Sequence, residues 1–172
     1  MLPASLFRFA VSRRTLVRRA LLVPALAVTG MLAGCLGEDS PTGPSVPASE
    51  TFAPSLGVNI PAMTKLSDAL YIQDISVGTG VEATTGKTVR LNYTGWLANG
   101  QQFDTNTSGG LPPFVLGAGR VVEGWDRGIV GMRVGGRRRL VIGSAMGYGA
   151  GGQGAIPPNA TMVFVVELLS VN

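Results

Sequence analysis

A single helical pattern among several strand patterns most constrains the fold of this chain. Four segments have the alternation or the β-rich composition of strands: 70–77, 87–97, 137–142 and 161–169. Asn99-Gly100 predicts a hairpin whose return strand covers 101–105. By contrast, residues 122–132 place apolar side chains at spacings of three and four, which is typical of a helix. The pattern predicts an α+β fold in which the sheet curls around one short helix.

The first 34 residues have the features of an export signal. Five arginines precede an apolar stretch, residues 20–33, which is too short to span a bilayer comfortably as a helix. The stretch ends in Leu32-Ala33-Gly34-Cys35, which resembles the bacterial lipobox, whose cysteine receives a diacylglycerol. We therefore expect lipidated Cys35 to hold the protein on the exported side of a bacterial envelope membrane, facing the periplasm or in the outer membrane of a Gram-negative cell. The alternative is an ordinary signal peptide with an incidental thiol. The export route, Sec or twin-arginine, stays open, because the segment around Arg13-Arg14 resembles a twin-arginine motif.

A flexible tether is predicted for residues 35–67, and the folded domain for 68–172. The tether segment is rich in proline, serine, threonine and glycine, so it buries little apolar surface to offset its ordering entropy. Four apolar residues in 52–60 leave open whether its second half packs on the domain. Without the five arginines of the signal, the remaining net charge is about −1, which argues against a nucleic-acid-binding protein. We interpret the basic cluster 137–139 as a solvated strand end.

An ordered series of aromatic, glycine and proline motifs runs through the predicted domain. The motifs are Tyr93-Thr94-Gly95, Phe103-Asp104, Val121-Val122-Glu123-Gly124-Trp125, Tyr148-Gly149 and Ile156-Pro157-Pro158-Asn159-Ala160-Thr161, followed by Phe164. The chain has no histidine, and few charges lie between the large rings. The series therefore predicts an apolar pocket assembled from distant segments, rather than a hydrolytic or metal centre. We expect neither a metal nor a cofactor.

In their order and spacing these motifs resemble the FK506-binding protein (FKBP) family of peptidyl-prolyl cis/trans isomerases, over about residues 68–170. The resemblance implies a five-stranded antiparallel sheet wrapped around one short helix, with the active pocket between them. It implies catalytic roles for Asp104, Tyr148, Phe103 and Trp125. It implies substrate contacts from Tyr93, Val121, Val122, Ile156 and Phe164. It also implies proline-containing polypeptide clients, binding of macrolides such as FK506 and rapamycin, and a monomer.

Such a pocket suits prolyl isomerisation on physical grounds. Rotation about an X-Pro bond meets a barrier of about 18 to 20 kcal/mol because it destroys amide resonance, yet no bond to another atom is made or broken. A catalyst needs only to bind the twisted amide better than the planar forms, and each 1.4 kcal/mol or so of that preference gives about a tenfold gain. The twisted amide is less polar at its carbonyl, so a dry aromatic pocket favours it.

The sequence departs from the family pattern at the pocket rim. Segment 106–113 is shorter than in the best-known members, and Pro112-Pro113 stands where they place an aromatic residue. The arginine that often accompanies the aspartate has no counterpart. We therefore expect retained isomerase activity, an altered preference for the residue before proline and weaker macrolide binding. Alternatives are a module that binds proline segments without turnover and a structural lipoprotein with a degenerate pocket; Asp104 is alternatively a turn cap.

Overall fold

The computed structural model describes residues 43–108 and 111–172, which belong to one compact unit. The predicted signal peptide, residues 1–34, and the predicted lipidation site, Cys35, lie outside the described residues. Among the described residues no helix is long and apolar enough to cross a membrane.

In this part of the chain seven strands form one antiparallel sheet. The strands are β1 (Thr64–Ser67), β2 (Leu70–Ser76), β3 (Thr88–Leu97), β4 (Gln102–Asn106), β5 (Phe114–Val115), β6 (Arg137–Ile142) and β7 (Met162–Val171). Their order is β1-β2-β6-β7-β3-β4, and β5 pairs with β3. The α-helix α1 covers Glu123–Gly128. Short 3-10 turns cover Pro47–Ser49, Pro54–Leu56, Ile60–Ala62, Ser144–Met146 and Gly149–Gly151.

The α+β class and the antiparallel sheet with one short helix are confirmed, whereas the strand number of five was wrong. The sheet gains β1 and β5. β1 is mostly exposed and so lacks a buried alternate face, and β5 has two residues, which is too short to leave a periodic pattern. The helix is also shorter than predicted, because Gly131 adopts a φ of 82° and Met132 enters the core from a turn beyond the helix.

The helix lies unusually close to the sheet because it presents two glycines to β6. A Cβ at Gly124 would lie 2.6 Å from Cγ2 of Ile142, and one at Gly128 would lie 2.9 Å from Cδ2 of Leu140. Trp125, between the two glycines, is 5% exposed and belongs to the main core. Alternate residues of β7 are buried in the same core: Met162, Phe164, Val166 and Leu168. The glycines thus set the depth at which Trp125 enters the core.

Part of the predicted tether is folded against the outer face of the sheet, and we call residues 43–63 the strap. Leu56 and Met63 of the strap are buried against Tyr71, Val141 and Val163, which project from the face opposite the helix. The sequence left open whether residues 52–60 pack on the domain, and the structure shows that they do. The folded unit therefore includes residues before the predicted boundary at residue 68.

The strap begins at a pair of reciprocal hydrogen bonds. The Ser45 amide donates to Oγ of Ser144 at 2.9 Å, and the Ser144 amide donates to Oγ of Ser45 at the same distance. Both serines are buried, so each amide is satisfied by a side chain in place of water. Pro47 packs beside Gly143, where a Cβ would lie 2.9 Å from Cδ of the proline.

Arg138 corrects the interpretation of 137–139 as a solvated strand end. Its side chain is 6% exposed and makes a two-pronged ion pair with Asp74, with Nε to Oδ1 at 2.6 Å and Nη2 to Oδ2 at 3.1 Å. Its Nη1 also donates to the carbonyls of Gly128 and Val130. Arg138 therefore joins the end of α1 to β2 and β6, because a buried guanidinium needs partners for most of its donors.

Candidate active site

Four aromatic rings meet where α1 faces β3, β4 and β7. Trp125 contacts Tyr93 edge to face at a ring-centre distance of 5.0 Å, and it contacts Phe164 in the same way at 5.2 Å. Phe103 of β4 stands perpendicular to Phe164 at 5.5 Å. Edge-to-face pairs of this kind are worth about 0.5 to 1.5 kcal/mol each beyond the area that they bury. The rings are therefore held rigidly, with Trp125 at the centre.

Gly95 makes room for this arrangement. It pairs with Phe164 of β7 on one side and with Asp104 of β4 on the other. A Cβ at this position would lie 2.6 Å from Cε1 of Phe164 and 2.8 Å from Cζ of Phe103. A side chain on residue 95 would therefore occupy the space that these two rings fill.

A hydrogen bond connects the carboxylate of Asp104 to the ring cluster. The Tyr93 hydroxyl donates to Oδ2 of Asp104 at 2.6 Å, and the Thr105 amide donates to Oδ1 at 2.8 Å. Burial, followed by the hydrogen bond to Asp104, raises the pKa of Tyr93 above its ordinary value. The phenol therefore stays neutral and the carboxylate is oriented from two sides.

Tyr148 lies on the long loop between β6 and β7. It follows the 3-10 turn Ser144–Met146 and precedes the turn Gly149–Gly151. Burial raises the pKa of Tyr148, and the charge of Asp104 raises it further. The hydroxyl is thus a neutral donor within electrostatic reach of the carboxylate.

These side chains enclose a cavity of about 210 Å³, which we call the ring cavity. Its walls include eight of the nine predicted pocket residues: Tyr93, Phe103, Asp104, Val121, Val122, Trp125, Tyr148 and Phe164. Val122 precedes the first residue of α1, and its amide donates no backbone hydrogen bond within the described residues. The cavity therefore combines aromatic faces with a hydroxyl, a carboxylate and a free amide.

Ile156 is the predicted substrate-binding residue that the structure does not bring to the ring cavity. It is 8% exposed and belongs to the main core. Its amide donates to the Gln153 carbonyl, and the Gln153 amide donates to the Ile156 carbonyl, both at 2.9 Å. Ile156 is therefore a core residue that does not line the ring cavity.

Two residues of the wall were missed by sequence reasoning. Leu111 and Arg120 line the ring cavity together with Val121. Arg120 directly precedes the predicted Val121-Val122 pair, and this adjacency was a usable signal. Leu111 stands next to Pro112-Pro113 in the segment that departs from the family pattern, so its place could not be inferred from that pattern.

The described residues were also compared with the ligand groups of metal sites. Within residues 43–108 and 111–172 no three histidine, cysteine, aspartate or glutamate side chains are grouped as metal ligands would be. The carboxylate of Asp104 already accepts two hydrogen bonds from the chain itself.

Comparisons with known proteins agree with this geometry. Residues 80–169 match the family model described as FKBP-type peptidyl-prolyl cis-trans isomerase. An "FK506-binding protein" of Neisseria meningitidis serogroup A is 50% identical over 105 residues, which are 60% of this chain and 96% of that protein. The crystal structure of FkpA from Escherichia coli aligns with a TM-score of 0.58 at 38% identity, over 64% of this chain and 51% of that one. A peptidyl-prolyl cis-trans isomerase from Pseudomonas syringae aligns with the same score at 34% identity, over 65% and 82%.

Proposed function

The chain belongs to the FKBP-type peptidyl-prolyl cis-trans isomerase family and has that activity, and we propose that it assists the folding of exported or envelope proteins by binding the twisted X-Pro amide in the ring cavity. The observation that carries this proposal is the convergence of Tyr148, Asp104 and the rings of Phe103 and Trp125 on one cavity. The cavity supplies what a rotating amide needs, namely apolar walls and a few fixed polar groups.

In the proposed mechanism the prolyl ring lies on Trp125, with Phe103 and Phe164 beside it. The Tyr148 hydroxyl and the Val122 amide donate to carbonyls of the bound chain and hold it across the cavity. Asp104 keeps its charge near the rotating amide, positioned by the Tyr93 hydroxyl. No proton is transferred and no covalent adduct forms, so the rate gain comes from preferential binding of the transition state.

A refolding assay tests this proposal directly. The protein at micromolar concentration should accelerate refolding of a client that is limited by one cis proline. Asp104→Asn should lower kcat/KM about tenfold because it removes the charge. The amide oxygen can still accept from the Tyr93 hydroxyl but the NH2 group then faces the Thr105 amide, so we also expect a loss of about 1 kcal/mol in unfolding free energy. If Asp104→Asn retains full kcat/KM, the carboxylate acts as a turn residue only.

For localisation we propose lipid anchoring through Cys35. The support is the lipobox-like sequence after an apolar stretch, since two acyl chains anchor a protein stably. Cys35→Ser should shift the protein from the membrane fraction to the soluble fraction, and the conservative Cys35→Ala should do the same. Retention of both variants on membranes would refute lipidation.

Macrolide binding is proposed from the relatives that are called FK506-binding proteins. FK506 should compete with a proline-containing peptide for the ring cavity, and the Tyr148→Phe variant should bind FK506 more weakly.

We propose that the protein acts as a monomer, which sedimentation of the purified protein would test.

A further inference from the structure

A second and larger cavity adjoins the ring cavity, and we call it the rim groove. Its volume is about 600 Å³, and it shares Leu111, Arg120 and Val121 with the ring cavity. The remaining residues of its walls are all apolar: Pro112, Pro113, Phe114, Val115 and Ala118. The two cavities therefore adjoin each other along these three residues, so a client chain held in one lies next to the other.

One wall of the rim groove is held by the edge of the sheet. The Leu111 amide donates to the Leu91 carbonyl at 3.0 Å, and the Leu116 amide donates to the Lys87 carbonyl at 2.9 Å. Between these two bonds Pro112 and Pro113 fix φ and carry no N–H, so these two residues present apolar surface and no backbone donor. The wall is rigid before any ligand arrives.

The other wall is held by Asp126 of α1. Its Oδ1 accepts from the Gly117 amide and its Oδ2 from the Gly119 amide, both at 2.8 Å. The aspartate is 9% exposed, so both hydrogen bonds are protected from water. The segment that carries Ala118 and Arg120 is thereby fixed to the same helix that carries Trp125.

We propose that the rim groove binds the client residues that flank the proline, with a preference for apolar side chains next to an acidic one. This inference rests on the proposed function, since the occupant is the continuation of the chain held in the ring cavity. A valine that is 41% exposed, Val115, lies in the groove, and a preformed apolar surface of this kind gains free energy when a client side chain covers it. Arg120 is exposed where the two cavities meet, so it attracts a carboxylate there.

The test compares peptides of different length on the full-length protein. One tetrapeptide with a central X-Pro bond is extended by Leu-Leu-Asp before the proline in one peptide and after it in another, with Gly-Ser-Gly extensions as controls. Exchange between cis and trans forms is followed by NMR. One of the two Leu-Leu-Asp peptides should show about a fivefold higher kcat/KM than its Gly-Ser-Gly counterpart.

Two matched variants locate this gain. Val115→Glu should reduce the ratio between the two peptides to near one, whereas Val77→Glu, at a valine that is 74% exposed and outside both cavities, should leave the ratio as in the wild type. Arg120→Glu should reverse a preference for aspartate over lysine in the extension, by about threefold in each direction, and high salt should weaken that preference.

Three results would overturn the proposal. The first is an equal kcat/KM for Leu-Leu-Asp and Gly-Ser-Gly peptides on both sides of the proline. The second is an unchanged ratio in Val115→Glu. The third is a wild-type dimer that Val115→Glu dissociates, with no peptide preference, which would assign the groove to self-association. If the wild type fails to isomerise even the tetrapeptide, the proposed mechanism fails first, and the two failures are distinguishable.

Discussion

Replacing Gly95 by alanine tests whether the ring cavity depends on the space that this glycine leaves. The new Cβ would lie 2.6 Å from Cε1 of Phe164, whereas carbon atoms pack best at about 3.5 to 4.0 Å. Phe103 is also too close, since its Cζ would lie 2.8 Å from the new Cβ, so both neighbouring rings must move by about 1 Å or less. Phe164 is 4% exposed and enclosed by Trp125 and Tyr93, so its movement strains the core, whereas the half-buried Phe103 moves more easily.

The expected cost follows from two opposing terms. Overpacking of a filled core costs about 1 to 3 kcal/mol, while alanine is favoured over glycine inside a strand by about 0.5 to 1 kcal/mol. We expect Gly95→Ala to lower the free energy of unfolding by about 1 to 2 kcal/mol. Because Phe103 is a wall of the ring cavity, kcat/KM should fall as well, by about tenfold.

Urea unfolding and the refolding assay measure the two effects. Gly151→Ala is the matched control, because a Cβ there meets nothing within 4 Å and the backbone has an ordinary φ. That control should keep its unfolding midpoint within the equivalent of about 0.5 kcal/mol. A Gly95→Ala protein with wild-type stability and wild-type kcat/KM would refute the reasoning about the rings.

Three further predictions concern other parts of the domain. Because the pKa of Tyr93 is raised in the folded protein, its contribution to stability is complete below about pH 10, the ordinary tyrosine value, and is lost as the pH rises above it. The free energy of unfolding of Tyr93→Phe should therefore fall less steeply above pH 10 than that of the wild type. An equally steep fall would contradict the assignment. Arg138→Ala should lower the free energy of unfolding, measured in urea, by about 2 to 3 kcal/mol, which is less than for a fully buried pair because Asp74 is 41% exposed. The control Arg137→Ala, at an exposed arginine, should change it little. Equal effects would show that burial of the arginine does not matter here. Leu56→Ala should cost about 2 kcal/mol and leave kcat/KM unchanged, and a wild-type midpoint would show that the strap does not stabilise the sheet.

The parts of the fold that the sequence predicted well are those in which one face is buried. In β3 alternate residues are buried along ten residues, and in β7 they alternate from Phe164 to Leu168, so the period of two is long enough to recognise. The hairpin turn at Asn99-Gly100 was equally easy to predict from the sequence, because Gly100 adopts a φ of 90° that other residues avoid.

The remaining parts depend on tertiary contacts that leave no local pattern. The strap looked like a tether because its apolar residues have no helical or strand period, yet Leu56 and Met63 find a face of the sheet prepared by distant residues. Arg138 looked solvated because arginine usually is, and its burial depends on Asp74 and two carbonyls that other segments supply. For the ring cavity, the motifs identified eight wall residues, whereas Ile156 lies in the main core.

The serine pair at the start of the strap determines where the preceding chain joins the domain. Ser144 is four residues before Tyr148, on the same loop. Two hydrogen bonds join Ser45 to Ser144, each from the backbone amide of one serine to the hydroxyl of the other. A mechanical load applied to the chain before Ser45 would consequently enter the domain beside the loop that carries Tyr148, and not at a remote edge. A fragment that begins after residue 45, a natural choice for making a soluble protein, would lack Ser45 and therefore the partner that holds this loop in place.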